Sequence, residues 1–330
     1  MTLMKHQTAK IIIYNLAVFL FFWVLLEACA AVFGAKQDTY VYSQKGYYVT
    51  DDVLGYAPRK NIRISCQRYH GNRLLYDAIY TINKDGLRIS PPFKGHDCND
   101  AILFFGCSFT FGEGLNDNET MPYLVGELSK GKVYNFAFQG YGPHQMLRQV
   151  DRGLVAKIVD CRPRYAIYET GFFHVERAAG YYPWDRHGPK YVLTREGTVK
   201  YAGHFDDSPV KRFIDGLLAK SAIYRNFIEG RTFINKKDIE TYIAIVVAAK
   251  NELQRQYPGL EFHVIYWGPD GEKDRMILDR FRQEGIKIHL MKDILLPKTD
   301  DWTAEFLASD GHPNFNANKT FADYIIRHIL

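Results

Sequence analysis

Hydrophobic positions along the 330-residue chain fall into three regimes. From Ile11 to Phe33 they run almost unbroken, interrupted only by Asn15 and Glu27. A helix rises about 1.5 Å per residue, so a run of this length predicts a membrane-spanning helix. Lys5 and Lys10 precede the run, and Lys36, Asp38 and Lys45 follow it. The leading lysines favour a cytoplasmic N-terminus, with the rest of the chain in the periplasm or otherwise outside the cytoplasm. Ala28, Ala30 and Ala31 supply small residues, which leaves signal cleavage open. From Ala35 to about Pro92 the chain is rich in Tyr, Thr, Ile and turn residues, with alternation at Tyr76–Ile82. Tyr76–Ile82 reads as a strand and Asn83-Lys-Asp-Gly86 as a tight turn, which predicts a small β element with a polar connector from Lys94 to Asn99.

The third regime begins at Asp100. Apolar runs at Ala101–Phe105, Val133–Phe138, Tyr165–Tyr168 and Phe262–Trp267 predict strands buried on both faces, with Ile286–Leu290 as a fifth. Helical spacing covers Pro122–Leu128, Gln145–Val159, Val210–Ile228, Asp238–Gln256, Arg275–Gln283 and Asn316–Ile329. Such alternation predicts an α/β fold, a parallel sheet between two helical layers. The expected division is 1–34 as tail and anchor, 35–99 as the β-rich element and 100–330 as the main domain. Tyr181–His204 reads as a long aromatic loop, of the kind that binds substrate beside a site.

Composition changes this picture little. Charged residues make up 24% of the chain and the net charge is +5, without a basic stripe of the kind nucleic acid requires. Five cysteines are present; no cysteine or histidine spacing suits zinc, so neither a metal nor a cofactor is expected. Cys66 and Cys98 flank the β-rich region and are candidates to pair in an oxidising compartment, which would leave Cys161 over. The 23 tyrosines and 22 phenylalanines read first as core, and second as platforms for sugar rings.

Two short segments carry the candidate chemistry. Ala101–Phe105 leads into Gly106-Cys-Ser-Phe-Thr110, a buried-type strand that breaks at a glycine and presents Ser108. Ser309-Asp-Gly-His-Pro-Asn314 offers Asp310 and His312 two positions apart. Serine, histidine and aspartate together can turn a weak hydroxyl into a nucleophile. Ligands in open parallel sheets bind outside the carboxyl ends of the strands. Ser108 follows the first strand end and Gly140 the second.

The segment Gly106–Leu115, Gly-Cys-Ser-Phe-Thr-Phe-Gly-Glu-Gly-Leu, resembles the first block of the SGNH (GDSL-type) serine hydrolases, with Cys107 where Asp is usual. Val133-Tyr-Asn-Phe-Ala-Phe-Gln-Gly-Tyr-Gly142 resembles the second block. There the resemblance implies that the Gly140 amide, or failing that Gly142, joins the Ser108 amide in an oxyanion hole. The third block departs from the family: Tyr168-Glu-Thr-Gly-Phe-Phe-His-Val-Glu-Arg177 has no Asn, and His174 falls near its place as a candidate substrate or oxyanion group. Asp310-Gly-His312 resembles the last block with Asp-x-His in place of Asp-x-x-His, a spacing that also admits a backbone carbonyl as the holder of the histidine. Asp52-Val-Leu-Gly-Tyr56 and Ile82–Arg88 look like the β element of membrane-anchored bacterial members.

The resemblance implies a three-layer SGNH-like catalytic domain over roughly 100–330, with Ser108 as nucleophile, His312 as general base and Asp310 as its orienting carboxylate. It further implies a serine esterase; the location outside the cytoplasm and the aromatic loops favour O-acyl, above all O-acetyl, groups of an envelope or extracellular glycan as its target, with an acylated carbohydrate as partner. Two alternatives stand beside it. One is a glycan O-acetyltransferase with the same triad, distantly similar to alginate O-acetyltransferases. The other is a retired SGNH-like binding or scaffold module, in which Ser108 and His312 would not meet. A thiol enzyme using Cys107 is a further reading.

Overall fold

A computed structural model describes residues 2–34, 38–95, 98–228, 233–268, 271–295 and 302–330. The chain forms two compact units: Met1–Gln37 with Asp206–Arg231, and Asp38–Phe205 with Thr232–Leu330. Parts of Lys94–Asn99, and Lys36, lie outside the described residues.

The first unit is built on one helix, Thr2–Phe33, whose stretch Lys10–Phe33 is long and apolar enough to cross a membrane. A second helix, Pro209–Leu218, is capped by the Ser208 hydroxyl, which accepts from the Lys211 amide. The helix anticipated over 210–228 therefore ends at Leu218, and Tyr224–Ile228 forms a separate wide turn.

Among the described residues, the second unit contains twelve strands: β1 (Asp38–Tyr42), β2 (Tyr48–Asp51), β3 (Gly55–Pro58), β4 (Ile62–His70), β5 (Arg73–Ile82), β6 (Ala101–Phe105), β7 (Val133–Asn135), β8 (Pro163–Gly171), β9 (Pro189–Leu193), β10 (Val199–His204), β11 (Glu261–Trp267) and β12 (Lys287–Leu290). Five of them make a parallel sheet in the order β12-β11-β8-β6-β7. The chain leaves β6 for β7 on one side, then returns past β6 to β8 and continues to β11 and β12 on the other. The order thus reverses between β6 and β8, the place where a crevice opens beyond the strand ends.

The parallel strands are buried on both faces, and β6 shows how. Leu103 and Phe105 join the core that includes Val150, Tyr242, Val246 and Phe281. Ile102 and Phe104 join the opposite core with Val125, Ile294, Phe321 and Ile325. Helices Pro143–Asp151, Lys236–Gln256 and Glu272–Gln283 supply the first layer; Met121–Ser129, Met291–Leu295 and Phe315–His328 supply the second. This is the three-layer α/β arrangement anticipated from the pattern.

The β-rich element is an antiparallel sheet, β1-β4-β5, beside the β2–β3 hairpin. It carries its own core of Tyr47, Ile64, Tyr80 and Phe111. Arg88 bridges Ile82 on one side and Asn135 on the other, so a single residue links the antiparallel and parallel sheets. Arg88 is 1% exposed, and its guanidinium donates to the carbonyls of Phe111, Gly112 and Leu115. A buried cation with this many acceptors fixes the loop that follows the Ser108 turn.

Three expectations are corrected. Gln145–Val159 is two helices, Pro143–Asp151 and Leu154–Ile158, parted at Arg152–Gly153. Tyr181–His204 is not an open loop: β9 and β10 pair as a hairpin, anchored by Tyr191 donating to Asp151 at 2.5 Å. Cys98 pairs with Cys161, whereas Cys66 is a buried free thiol facing its own core. Cys66 points inward from a strand, and Cys161 sits in the turn entering β8, within reach of the connector that holds Cys98.

Candidate active site

Ser108 opens a four-residue helix, Ser108–Phe111, directly beyond the carboxyl end of β6. The first amides of a helix lack intrahelical acceptors, so the Ser108 N–H is available to a developing negative charge. The turn needs Gly106. Its φ is +155°, and a Cβ there would lie 2.2 Å from Thr110 Oγ1. Cys107 is 1% exposed, so its thiol is enclosed by the fold.

His312 comes from the loop before the last helix. Its Nε2 lies 3.0 Å from Ser108 Oγ, and its Nδ1 lies 2.9 Å from Asp310 Oδ2. A carboxylate only accepts, so Nδ1 carries the proton and Nε2 is left to accept from the Ser108 hydroxyl. The contracted Asp-x-His spacing works because the two Asp310 oxygens divide their tasks: Oδ1 accepts from the His312 backbone N–H at 3.1 Å while Oδ2 holds the ring. Ser108, His312 and Asp310 are therefore brought into one continuous relay, held by the side chain and not by a backbone carbonyl.

Burial by itself lowers the His312 imidazole, but the Asp310 hydrogen bond and the Glu113 and Asp310 charges outweigh it and hold its pKa above the ordinary value of 6.5. Burial raises the Asp310 carboxyl, and its bonds to His312 with the Arg68 charge reverse that, leaving it below 3.8. Proton acceptance at His312 is thus supported by a carboxylate that stays ionised.

Sequence reasoning missed a ring of polar groups around this relay. Arg68 of β4 donates to Asp310 Oδ2 at 2.7 Å and to Asp38 Oδ2 at 2.6 Å. Glu113, 6% exposed, places Oε2 3.7 Å from His312 Nε2 and Oε1 3.6 Å from Arg68. Tyr76 and Tyr40 donate to Glu113 at 2.9 and 3.2 Å. Glu113, Asp310 and His312 offer ligand atoms within 4.8 Å of one another. Arg68 already places a fixed positive charge against two of the three, which disfavours a metal ion there. Beneath Ser108, Glu169 of β8 is fully enclosed and accepts from Thr110 at 2.6 Å and Trp267 at 2.7 Å.

Gly140 follows β7 with φ of +78°, and a Cβ there would lie 2.5 Å from Tyr56 Oη and 2.7 Å from Trp184 Nε1. Only glycine suits such a backbone pressed against two side chains. Gly142 instead opens the Pro143–Asp151 helix, its amide donating to Gln145 Oε1 at 2.8 Å. His174 takes a different place from the one suggested by its position in the sequence. It is completely buried; Arg177 donates to Nε2 at 3.2 Å, which leaves Nδ1 protonated and bonded to Tyr168 at 2.6 Å and Thr170 at 2.9 Å. Burial, then the Arg177 charge, keeps this ring neutral. His174 locks the end of β8 to the Phe173–Ala178 helix and offers no atom to a substrate.

A cavity of about 690 Å³ lies between the β9–β10 hairpin and the Lys236–Gln256 helix; neither Ser108 nor His312 lines it.

No family model and no curated protein matches the chain. Among solved structures, the chain is similar to a lipolytic protein of the G-D-S-L family from Desulfitobacterium hafniense (14% identity, covering 69% of this chain and 99% of that one, TM-score 0.42). It is also similar to a GDSL-like lipase from Parabacteroides merdae (11% identity, 72% and 98% covered, TM-score 0.40). A third is a carbohydrate esterase family 2 enzyme with a carbohydrate-binding domain from Corynascus thermopiles (13% identity, 89% and 86% covered, TM-score 0.41). They do not show the likeness to alginate O-acetyltransferases. At this level of similarity, what the chain does rests on its own geometry.

Proposed function

We propose that the chain is a membrane-anchored serine esterase that removes O-acyl groups, chiefly acetyl, from an envelope or extracellular glycan. The observation that carries this reading is the relay Ser108 Oγ, His312 Nε2, His312 Nδ1, Asp310 Oδ2 at the point where the strand order reverses. Ser108 Oγ attacks the ester carbonyl while its proton passes to His312 Nε2. The Ser108 and Gly140 amides receive the oxyanion. Collapse of the intermediate breaks the acyl–oxygen bond, and His312 returns its proton to the leaving sugar alkoxide. Water then repeats the sequence on the acyl-enzyme, with His312 again as base, and releases the free acid. A sugar hydroxyl in place of that water would make the same apparatus a transferase.

Trp184 supports a carbohydrate. Its indole is 51% exposed, stacks on Tyr182 at 4.2 Å and reaches the Gly140 carbonyl with Nε1 at 3.5 Å. An exposed flat ring beside the oxyanion glycine suits the apolar face of a sugar. The apolar Lys10–Phe33 helix and the Cys98–Cys161 disulfide support an anchored domain in an oxidising compartment outside the cytoplasm.

The test is to incubate the full chain with acetylated oligosaccharides and follow acetate release alongside acetyl transfer to added sugar. Acetate release that Ser108→Ala abolishes is the expected result. Failure to consume any acylated carbohydrate, by a protein that turns over small esters, would overturn the glycan part of the reading.

A further inference from the structure

The Pro209–Leu218 helix carries an apolar stripe that none of the described residues covers. Val210, Phe213, Ile214, Leu217 and Leu218 recur at the spacing of one helix face and are 68%, 69%, 47%, 53% and 36% exposed. The other face is polar: Lys211 pairs with Asp215 at 3.4 Å, and the Arg212 guanidinium donates to the Asp206 carbonyl at 3.0 Å. A continuous apolar face of this kind on a water-soluble surface marks an interaction site.

The same unit shows what the stripe meets. Glu27 is a carboxylate inside the long apolar helix, where an ionisable group needs a partner. It accepts from the Ser221 hydroxyl at 2.5 Å and from the Ala222 and Ile223 amides at 2.6 and 3.4 Å. Three residues further along the long helix, the Ala30 carbonyl accepts from the Asn226 side chain at 2.9 Å. These bonds fasten the segment after the amphipathic helix to the last two turns of Thr2–Phe33. Glu27 lies six residues before Phe33, about 9 Å along the helix axis, so the segment is held near the boundary between hydrocarbon and headgroups.

We infer that the Pro209–Leu218 helix lies in that boundary, its stripe in lipid and Lys211, Arg212 and Lys220 toward the headgroups, with Glu27 fixing the depth. The inference rests on the reading that Ile11–Phe33 spans a bilayer. An interfacial helix with an apolar face and a basic polar face binds lipid by this combination of burial and charge. Phe227 and Ile228, 50% and 52% exposed, extend the apolar surface beyond the helix.

The experiment uses the full chain with Cys29→Ser, since Cys66 and Cys107 are buried and Cys98 is bonded to Cys161. Single cysteines at Phe213→Cys, Leu217→Cys and Gly216→Cys are labelled with an environment-sensitive fluorophore; a Cβ at Gly216 meets nothing within 4 Å. Val18→Cys reports on the span itself. The labelled proteins are reconstituted into phosphatidylcholine–phosphatidylglycerol vesicles carrying a nitroxide on the lipid chain near the headgroup. Loss of emission at 213 and 217, with little loss at 216, is expected. Quenching at 18 with none at 213 or 217 would overturn the interfacial helix while leaving the span in place. A blue-shifted but unquenched signal at 213 and 217 would mean that protein, from another copy or a partner, covers the stripe, and would overturn the lipid assignment. Absence of vesicle association and of quenching at 18 would overturn the span, and the inference with it.

Discussion

Replacing Glu113 by Gln should move the acid limb of the activity profile downward. Glu113 Oε2 lies 3.7 Å from His312 Nε2, and its charge is one of the influences that hold the imidazole above 6.5. Two unit charges about 4 Å apart interact by about 1 kcal/mol in bulk water and about 4 kcal/mol at an effective dielectric near 20. At 1.36 kcal/mol per pH unit, this brackets a shift of about one to three units. Arg68, 3.6 Å from Glu113 Oε1, offsets part of that charge and places the expected value near the lower end, about one unit. Gln preserves an amide oxygen to accept from Tyr76 and Tyr40, so the substitution removes charge with little change of shape. General base catalysis needs neutral His312, so wild-type activity rises with pH through a midpoint above 6.5. The assay is kcat/KM for a small activated ester against pH, in both proteins. A midpoint that stays where it is, or moves upward, would refute the assignment of the Glu113 charge to His312.

The remaining predictions concern neighbouring groups. Gly140→Ala forces a Cβ to 2.5 Å from Tyr56 Oη at a φ of +78°, so stability should fall by about 1–2 kcal/mol in chemical denaturation. Its kcat should fall about a hundredfold if this amide serves the oxyanion. Trp184→Ala should weaken kcat/KM for acetylated oligosaccharide roughly tenfold more than for a small ester, as loss of one stacking face would give. Burial pushes the Glu169 carboxyl up to about 7 from 4.5, so the folded state binds the extra proton between these values and wild-type stability falls as pH rises across that window. Glu169→Gln removes that loss, and the difference between the two proteins measured by denaturation at pH 4 and pH 8 should change by on the order of 3 kcal/mol in favour of Gln.

The elements that position the site were legible where the signal is local. Ala101–Phe105 was read to its ends because a strand buried on both faces leaves a continuous apolar run that stops at the glycine turn. Ser108, Asp310 and His312 stood out because each lies in a short polar break beside such an element. The second strand proved shorter, Val133–Asn135: Phe136 gives one last bond to the Phe104 carbonyl of β6, the Ala137 amide turns to the Asn135 side chain, and Ala137 and Phe138 are buried by packing, which burial alone does not distinguish from a strand. Arg68 and Glu113 left no trace. Arg68 lies 242 residues from Asp310 and sits in a strand whose alternation hides a functional charge among exposed ones. His174 misled for the opposite reason. It occupies a suggestive position after β8, but one turn of helix carries its ring inward to Tyr168 and Thr170. The Cys98–Cys161 pairing depends on how a polar connector packs against the entry to β8, which neither cysteine's own neighbours reveal.

The central claim is that His312 and Asp310 make Ser108 a nucleophile, and fluorophosphonate labelling of the folded full chain, mapped by mass spectrometry, tests it most directly. An adduct on Ser108 that is absent in Ser108→Ala and strongly reduced in His312→Ala is the predicted result. A protein shown to be folded that forms no adduct at Ser108, or that labels equally well without His312, would contradict it.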